Sequence, residues 1–135
     1  MLRPDDMQKA CLFLTAWREG NAYGGTLATE AIMSTIMNRV KAGWGSCLEV
    51  IEDLPNKSAT TLRTGMPKLW EPQASRLLHS VEGIFDGSAK DLSNGALYWF
   101  DSNCEVTNEW FKDKILGDLN THKKTADMNS LMFLR

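Results

Sequence analysis

The sequence has few of the residues that build metal sites and disulfide frameworks. Its 135 residues include three cysteines, Cys11, Cys47 and Cys104, and two histidines, and no two cysteines form a CxxC pair. An odd and widely spaced set of this kind fits neither a zinc site nor a disulfide framework. We therefore predict reduced thiols and no metal or other cofactor.

The sequence also lacks a marked excess of charge and any long apolar run. Lys and Arg number 15 against 17 Asp and Glu, which gives a net charge of −2. Proteins that bind nucleic acids by neutralising phosphates need clustered basic residues, and a membrane span needs about 18 apolar residues in a row. We expect neither nucleic-acid binding nor stable membrane insertion.

The N-terminal residues carry the acidic pair Asp5-Asp6 where a secretory signal has its basic and apolar regions. We therefore expect synthesis in the cytoplasm without a signal peptide. The length and the apolar content of 43% are typical of one globular domain. The prediction is a single domain over residues 1–135 that acts as a monomer.

Apolar spacing and capping signals predict five helices. They cover about residues 4–20, 26–41, 46–53, 70–86 and 107–117. Three glycines within residues 20–25 predict a surface loop between the first two helices. Residues 54–69 contain two prolines and show no period, so this stretch is either the wall or lid of a groove or a tolerated insertion.

Strand signals are confined to the second half of the chain. Asn94-Gly95 is a turn signal, and the aromatic run at residues 96–100 has high β-propensity. The apolar tail at residues 130–134 could pair with it. The expected fold class is α+β, mainly helical, with a small β-sheet.

Glu19 is the residue whose position suggests chemistry. It lies on the last turn of the first predicted helix, at the negative end of the helix dipole, between Trp17 and Tyr23. Both the dipole and poor solvation favour the protonated acid, and cleavage of a glycosidic bond requires such a proton donor. A solvated surface glutamate is the commoner explanation of a lone Glu at a helix end.

Three segments resemble the SleB-like cell-wall hydrolases. Residues 17–25 read Trp-Arg-Glu-Gly-Asn-Ala-Tyr-Gly-Gly, the next helix closes on Met-Asn-Arg-Val-Lys at residues 37–41, and residues 95–100 read Gly-Ala-Leu-Tyr-Trp-Phe. The family has a Glu before a Gly- and Tyr-containing loop, then Asn-Arg-Val, then a Gly-Ala-aliphatic-Tyr-aromatic-Phe strand. The family's second loop Glu is absent here.

The resemblance implies a compact lysozyme-like domain that acts on peptidoglycan. The family cleaves between N-acetylmuramic acid and N-acetylglucosamine, and Glu19 maps onto its catalytic Glu as general acid and then base. Whether the chain is a lytic transglycosylase or a hydrolytic muramidase stays open. A muramidase would need a second carboxylate, for which Asp101 is a better candidate than Glu30, although Asp is also common in turns.

Further residues are candidates for binding sugar. Tyr98 matches the family strand, and we place its ring in the groove and that of Trp99 in the core, because neighbouring strand residues face opposite sides. Asn38 is either a groove residue or a structural side chain bonded to backbone. The predicted substrate-binding residues are Tyr23, Asn38, Trp44, Tyr98 and Asp101.

Two other function classes compete with glycan cleavage. One is a Cys-His peptidase that cuts peptide stems with Cys11, Cys47 or Cys104 and with His79 or His122. The other is a non-enzymatic wall-binding or virion structural protein. The chain's size and the expected lack of a signal favour a phage endolysin, which acts on the cell wall after release from the cytoplasm and lyses the bacterium.

Overall fold

The computed structural model describes residues 4–54, 68, 70–103 and 105–135, with only the backbone for residues 4 and 21–24. The elements in chain order are helix α1 (Pro4–Lys41), helix α2 (Cys47–Glu52), helix α3 (Pro72–Asp86), strand β1 (Tyr98–Asp101), a π-helix (Phe111–Leu116), strand β2 (Lys124–Met128) and strand β3 (Leu131–Leu134). The expected α+β, mainly helical class is confirmed.

The two helices that the sequence predicts at the start of the chain are present as two segments of α1 joined at a kink, without the predicted surface loop between them. The loop prediction is wrong: helical backbone runs on to Gly25, where φ is 67° and ψ is −153°, and resumes after it. This conformation is easily adopted only by glycine. Gly25 alone therefore changes the direction of the chain, where the sequence predicts a loop over residues 20–25.

Gly20 has a packing role rather than a turn role. A Cβ at this position would lie 2.9 Å from Thr29 Cα and 3.0 Å from Ile32 Cδ1. The helical segments before and after the kink therefore contact each other at Gly20. Glu19 directly precedes this contact in the chain.

The predictions for α2 and α3 are confirmed. Ser46 and Glu49 form a capping box at the start of α2, and Gly87 ends α3 in the left-handed conformation. Both helices pack against α1, whose buried side chains form the centre of the hydrophobic core. The apolar side chain of Leu78 on α3 is exposed.

The sheet is antiparallel with the strand order β1-β3-β2. The predicted pairing of the C-terminal tail with the aromatic strand is confirmed, with Tyr98 opposite Leu134 and Asp101 opposite Leu131. The predicted turn is confirmed too, because Asn94 and Gly95 have φ values of 55° and 84°. Sequence analysis missed β2, a strand of Lys-Thr-Ala-Asp-Met that has no fully buried residue and no apolar run.

The helix predicted at residues 107–117 is present, wound as a π-helix and ending at Gly117. Asn108 Oδ1 accepts a hydrogen bond of 2.9 Å from Phe111 N, as expected of its capping position. The predictions for residues 55–67 lie outside the described residues. No helix in the described part of the chain is long and apolar enough to cross a membrane.

Candidate active site

Glu19 lines a cavity of about 450 Å³, here called the Glu19 cavity. Its walls come from the middle and the last turn of α1, the end of α2 and the residues after it, strands β1 and β3, and the π-helix with the residues before it. The lining residues are Glu19, Arg39, Trp44, Val50, Asp53, Leu54, Tyr98, Trp99, Phe100, Asp101, Asn108, Trp110, Phe111 and Leu131. The cavity thus joins three carboxylates, one guanidinium and a wall of aromatic rings.

The Glu19 carboxyl group is only 22% exposed and forms an ion pair with its neighbour. Arg18 donates to Oε1 from Nη2 at 3.0 Å and from Nε at 3.2 Å. Burial raises the pKa of Glu19 and outweighs the positive charge and hydrogen bonds of Arg18, which lower it. The net pKa lies above the ordinary value, as the sequence analysis expects, while the ion pair with Arg18 acts against the protonated form.

Two further carboxylates line the Glu19 cavity. Asp101 was predicted either as a site residue or as a turn residue, and it has both features: it lines the cavity, and its Oδ1 accepts from Asn103 N at 2.9 Å. Asp53, which directly follows α2, was not predicted. Glu30 lines a different cavity and pairs with Arg76 at 3.2 Å, so it is not a partner for Glu19.

Tyr98 and Trp99 both line the Glu19 cavity. Trp99 packs against the main core, as predicted. Neighbouring strand residues face opposite sides, but the lining includes both side chains, so the expectation that only Tyr98 faces the groove does not hold. Tyr98 is buried, and the rings of Trp44, Trp110, Phe111 and His122 surround it at 5.6–6.5 Å between centroids.

The cavity has two solvent-exposed tryptophans. Trp44 is 43% exposed and Trp110 is 57% exposed. Their ring centroids lie 5.7 Å and 6.5 Å from that of Tyr98. Trp44 was predicted as a substrate-binding residue, whereas Trp110 was not.

Asn38 does not line the Glu19 cavity, which corrects its prediction as a groove residue. Its Nδ2 donates to Asp91 Oδ2 at 2.9 Å, to Ala96 O at 3.0 Å and to Ser93 Oγ at 3.3 Å. Asp91 also accepts from Gly95 N at 2.8 Å. The amide therefore ties α1 to the turn before β1, and the structural interpretation of Asn38 is the right one. The side chain of Tyr23 lies outside the described residues.

Arg39 is a site residue that the sequence analysis did not select, although it belongs to the Asn-Arg-Val segment. Its Nε donates to Leu97 O at 2.6 Å. Its Cζ lies over the rings of Trp44, Trp99 and Tyr98, at 5.0, 5.2 and 5.6 Å from their centroids. Burial lowers the pKa of Arg39 to about 10, while Tyr98 and Asp53 act in the opposite direction.

The described cysteines do not form a nucleophilic site. Cys47 is buried and its Sγ lies 3.9 Å from Gln8 O, and burial raises its pKa to about 11. A thiol in this state is a poor nucleophile. Cys11 packs against the same core, and Cys104 lies outside the described residues.

No group of three or more His, Cys, Asp and Glu side chains in the described ranges could hold a metal ion. The arrangement of the Glu19 cavity instead suits acid–base chemistry: a carboxyl with a raised pKa lies beside aromatic rings and two further carboxylates.

Comparison with known proteins identifies the fold. No family model matches the chain, and no curated protein matches it. The catalytic domain of the germination-specific lytic transglycosylase SleB from Bacillus anthracis superposes with a TM-score of 0.65 at 17% identity, over 99% of this chain and 97% of that one. The Bacillus cereus SleB catalytic domain gives a TM-score of 0.63 at 19% identity, over 96% and 91%. This chain has the lysozyme-like α+β fold of the SleB catalytic domains.

Proposed function

We propose that the chain cleaves the glycan strands of peptidoglycan between N-acetylmuramic acid and N-acetylglucosamine, with Glu19 as the catalytic residue. The observation that supports this most directly is the position of Glu19, a largely buried carboxyl in the wall of an aromatic cavity, where burial raises its pKa. The fold shared with SleB catalytic domains, which are lytic transglycosylases, supports the same reaction.

The two carboxyl oxygens of Glu19 differ in their hydrogen bonds, which suggests different roles in the reaction. Oε1 accepts both hydrogen bonds from Arg18, and Oε2 has no hydrogen-bond partner within the described ranges. Oε2 is therefore the oxygen that carries the proton and gives it to the glycosidic oxygen. Positive charge then develops at the muramic acid C1 as the bond to the leaving sugar breaks.

Glu19 next acts as a base in the transglycosylase reaction. Its carboxylate takes the proton from the C6 hydroxyl of the same muramic acid, whose oxygen bonds to C1 and closes a 1,6-anhydro ring. The proton lost in the first step is regained in the second, so the enzyme returns to its starting state. No second carboxylate is needed to activate water.

A hydrolytic muramidase is the alternative within the same site. Asp53 and Asp101 both line the Glu19 cavity, and either could activate a water molecule or stabilise positive charge at C1. We favour the transglycosylase because one carboxyl with a raised pKa is sufficient for it.

The aromatic residues supply a binding surface for sugar rings. Trp44 and Trp110 are exposed, and each has its ring next to the buried Tyr98 ring. Apolar sugar faces stack on such rings. We propose that both indoles contact the glycan strand, with Tyr98 supporting them.

Mass spectrometry of the soluble products from purified peptidoglycan tests this function. Wild-type protein is expected to release fragments that end in 1,6-anhydromuramic acid. Reducing ends would establish the muramidase instead. Protein that binds the wall and releases no fragments would contradict cleavage altogether and support a non-enzymatic wall-binding protein.

We also propose that the activity serves bacterial lysis, as in a phage endolysin. Directing wild-type protein into the periplasm of a growing bacterium is expected to lower culture turbidity, and Glu19→Gln is expected to have no such effect.

A triple Cys→Ala variant at positions 11, 47 and 104 should lyse like the wild type. Its failure to do so, while folded, would support the Cys-His peptidase.

A further inference from the structure

Arg39 is a cation built into the wall of the Glu19 cavity. It lies in the last turn of α1, and three aromatic rings surround its guanidinium at 5.0–5.6 Å. The hydrogen bond from Nε to Leu97 O fixes the plane of the group. The orientation of this cation is therefore set before any ligand binds.

The terminal nitrogens of Arg39 donate no hydrogen bond to the described residues. A guanidinium has five N–H donors, and Nε supplies the single hydrogen bond that Arg39 makes to described residues. The two terminal nitrogens therefore retain their donors, on a side chain that is partly exposed and lines the Glu19 cavity. Two N–H groups in a fixed plane match the two oxygens of a carboxylate.

Arg39 also differs from Arg18 and Arg76 because it has no carboxylate partner among the described residues. Arg18 and Arg76 pair with Glu19 and Glu30 at 3.0 Å and 3.2 Å, whereas Arg39 has no ion-pair partner in the part of the chain that the structure describes. Asp53 affects it only through longer-range electrostatics. Burial of a cation is unfavourable unless an anion or hydrogen-bond acceptors compensate it, so a bound carboxylate would be favourable here.

We propose that Arg39 binds a free carboxylate of the peptide stem that muramic acid carries. This inference rests on the proposed function, because it assigns the anion to the peptidoglycan substrate. N-acetylated sugar rings are neutral, and the acidic groups of stem-bearing strands lie on the peptides. Arg39 thus makes the cavity selective for muramic acid with its stem over a plain N-acetylglucosamine polymer.

A binding measurement with two matched ligands tests this assignment. The ligands are short glycan fragments with peptide stems, one set with free stem carboxylates and one with these carboxylates converted to amides. Titration calorimetry uses the Glu19→Gln protein, so that fragments are not cut. The free carboxylates are expected to bind about tenfold more tightly, as befits hydrogen bonds between charged groups.

Substitutions distinguish the contribution of Arg39 to this preference from that of other basic residues. In the same background, Arg39→Met is expected to bind both fragment sets equally, and Arg39→Lys to keep only part of the preference because it loses the planar fork. Arg76→Met is the matched control, since Arg76 pairs with Glu30 away from the cavity, and it should keep the full preference.

Three results would overturn the proposal: equal binding of both fragment sets by the parent protein, an unchanged preference in Arg39→Met, or a loss of preference in Arg76→Met. The first comparison needs no Arg39 variant, so it stands even if that variant does not fold. Failure of the proposed function would give a different result. In that case the wild type would release no fragments from either native or amidated wall.

Discussion

Arg18 and Glu19 are neighbours in sequence and ion-pair partners in space, with 3.0 Å between Arg18 Nη2 and Glu19 Oε1. The Arg18 side chain is 8% exposed and that of Glu19 is 22% exposed, so water screens the pair only in part. Burial and Arg18 act in opposite directions on the pKa of Glu19, and burial prevails. Arg18 therefore limits how far the pKa of the proposed catalytic acid rises.

Replacement of Arg18 should move the pH profile of cleavage. The reaction needs protonated Glu19, so activity is lost as pH rises through its pKa. Because Arg18 lowers that pKa, Arg18→Gln is expected to shift the alkaline limb of kcat/KM to higher pH. The check is kcat/KM for fragment release across the pH range. An alkaline limb that stays in place or moves to lower pH would contradict the assignment.

The exposed tryptophans should contribute to substrate binding rather than to chemistry. Trp44→Ala and Trp110→Ala are each expected to raise KM several-fold, since truncation of such a residue removes about 1–2 kcal/mol of binding energy. Trp70→Ala is the control, because Trp70 is 81% exposed and does not line the Glu19 cavity. The measurement is steady-state kinetics on soluble glycan fragments. An equal effect in all three variants would count against a sugar-binding wall.

Gly20 should be intolerant of even a methyl group. The Cβ of Gly20→Ala would lie 2.9 Å from the Thr29 backbone, so the two halves of α1 would have to move apart. We expect a loss of about 1–3 kcal/mol in the free energy of unfolding, with reduced activity because Glu19 is displaced. Urea denaturation measures the first effect. Stability equal to that of the wild type would show that the close contact does not exist.

Asn38 should matter for stability and not for binding. Asn38→Ala leaves Asp91 and Ala96 O without the amide that joins them to α1. Loss of these hydrogen bonds is expected to lower the free energy of unfolding by about 1–3 kcal/mol, while KM stays near the wild-type value. Denaturation and kinetics on the same preparation separate the two effects. A raised KM with unchanged stability would restore Asn38 to the site.

The sequence predicts most of the fold because local signals and tertiary structure agree. The capping box at Ser46, the left-handed glycine after α3 and the turn at Asn94-Gly95 all lie where their residue types indicate. Residues 20–25 are one exception. Their glycines are typical of a loop, but Gly25 forms a kink in α1 and Gly20 allows a close contact between its two halves. Sequence spacing alone does not distinguish these uses.

The candidate site is predicted in part. Glu19, Trp44, Tyr98 and Asp101 all line one cavity, and of these the resemblance selects Glu19 and Tyr98. Arg39 and Trp110 carry no local signal for a cavity wall, since an arginine near a helix end and an apolar helix residue have commoner roles. Their placement depends on the pairing of β1 with β3 and on the packing of the π-helix, which are set by contacts distant in sequence.

Release of soluble fragments from purified peptidoglycan by wild type, Glu19→Gln and Glu30→Gln tests the central role of Glu19 most directly. Glu30 is a matched control, because it too is a partly buried glutamate of α1 paired with an arginine, but it lines another cavity. Glu19→Gln is expected to lose at least about a hundredfold in rate while its circular dichroism spectrum stays native, and Glu30→Gln to remain active. Substantial activity in folded Glu19→Gln would contradict the account.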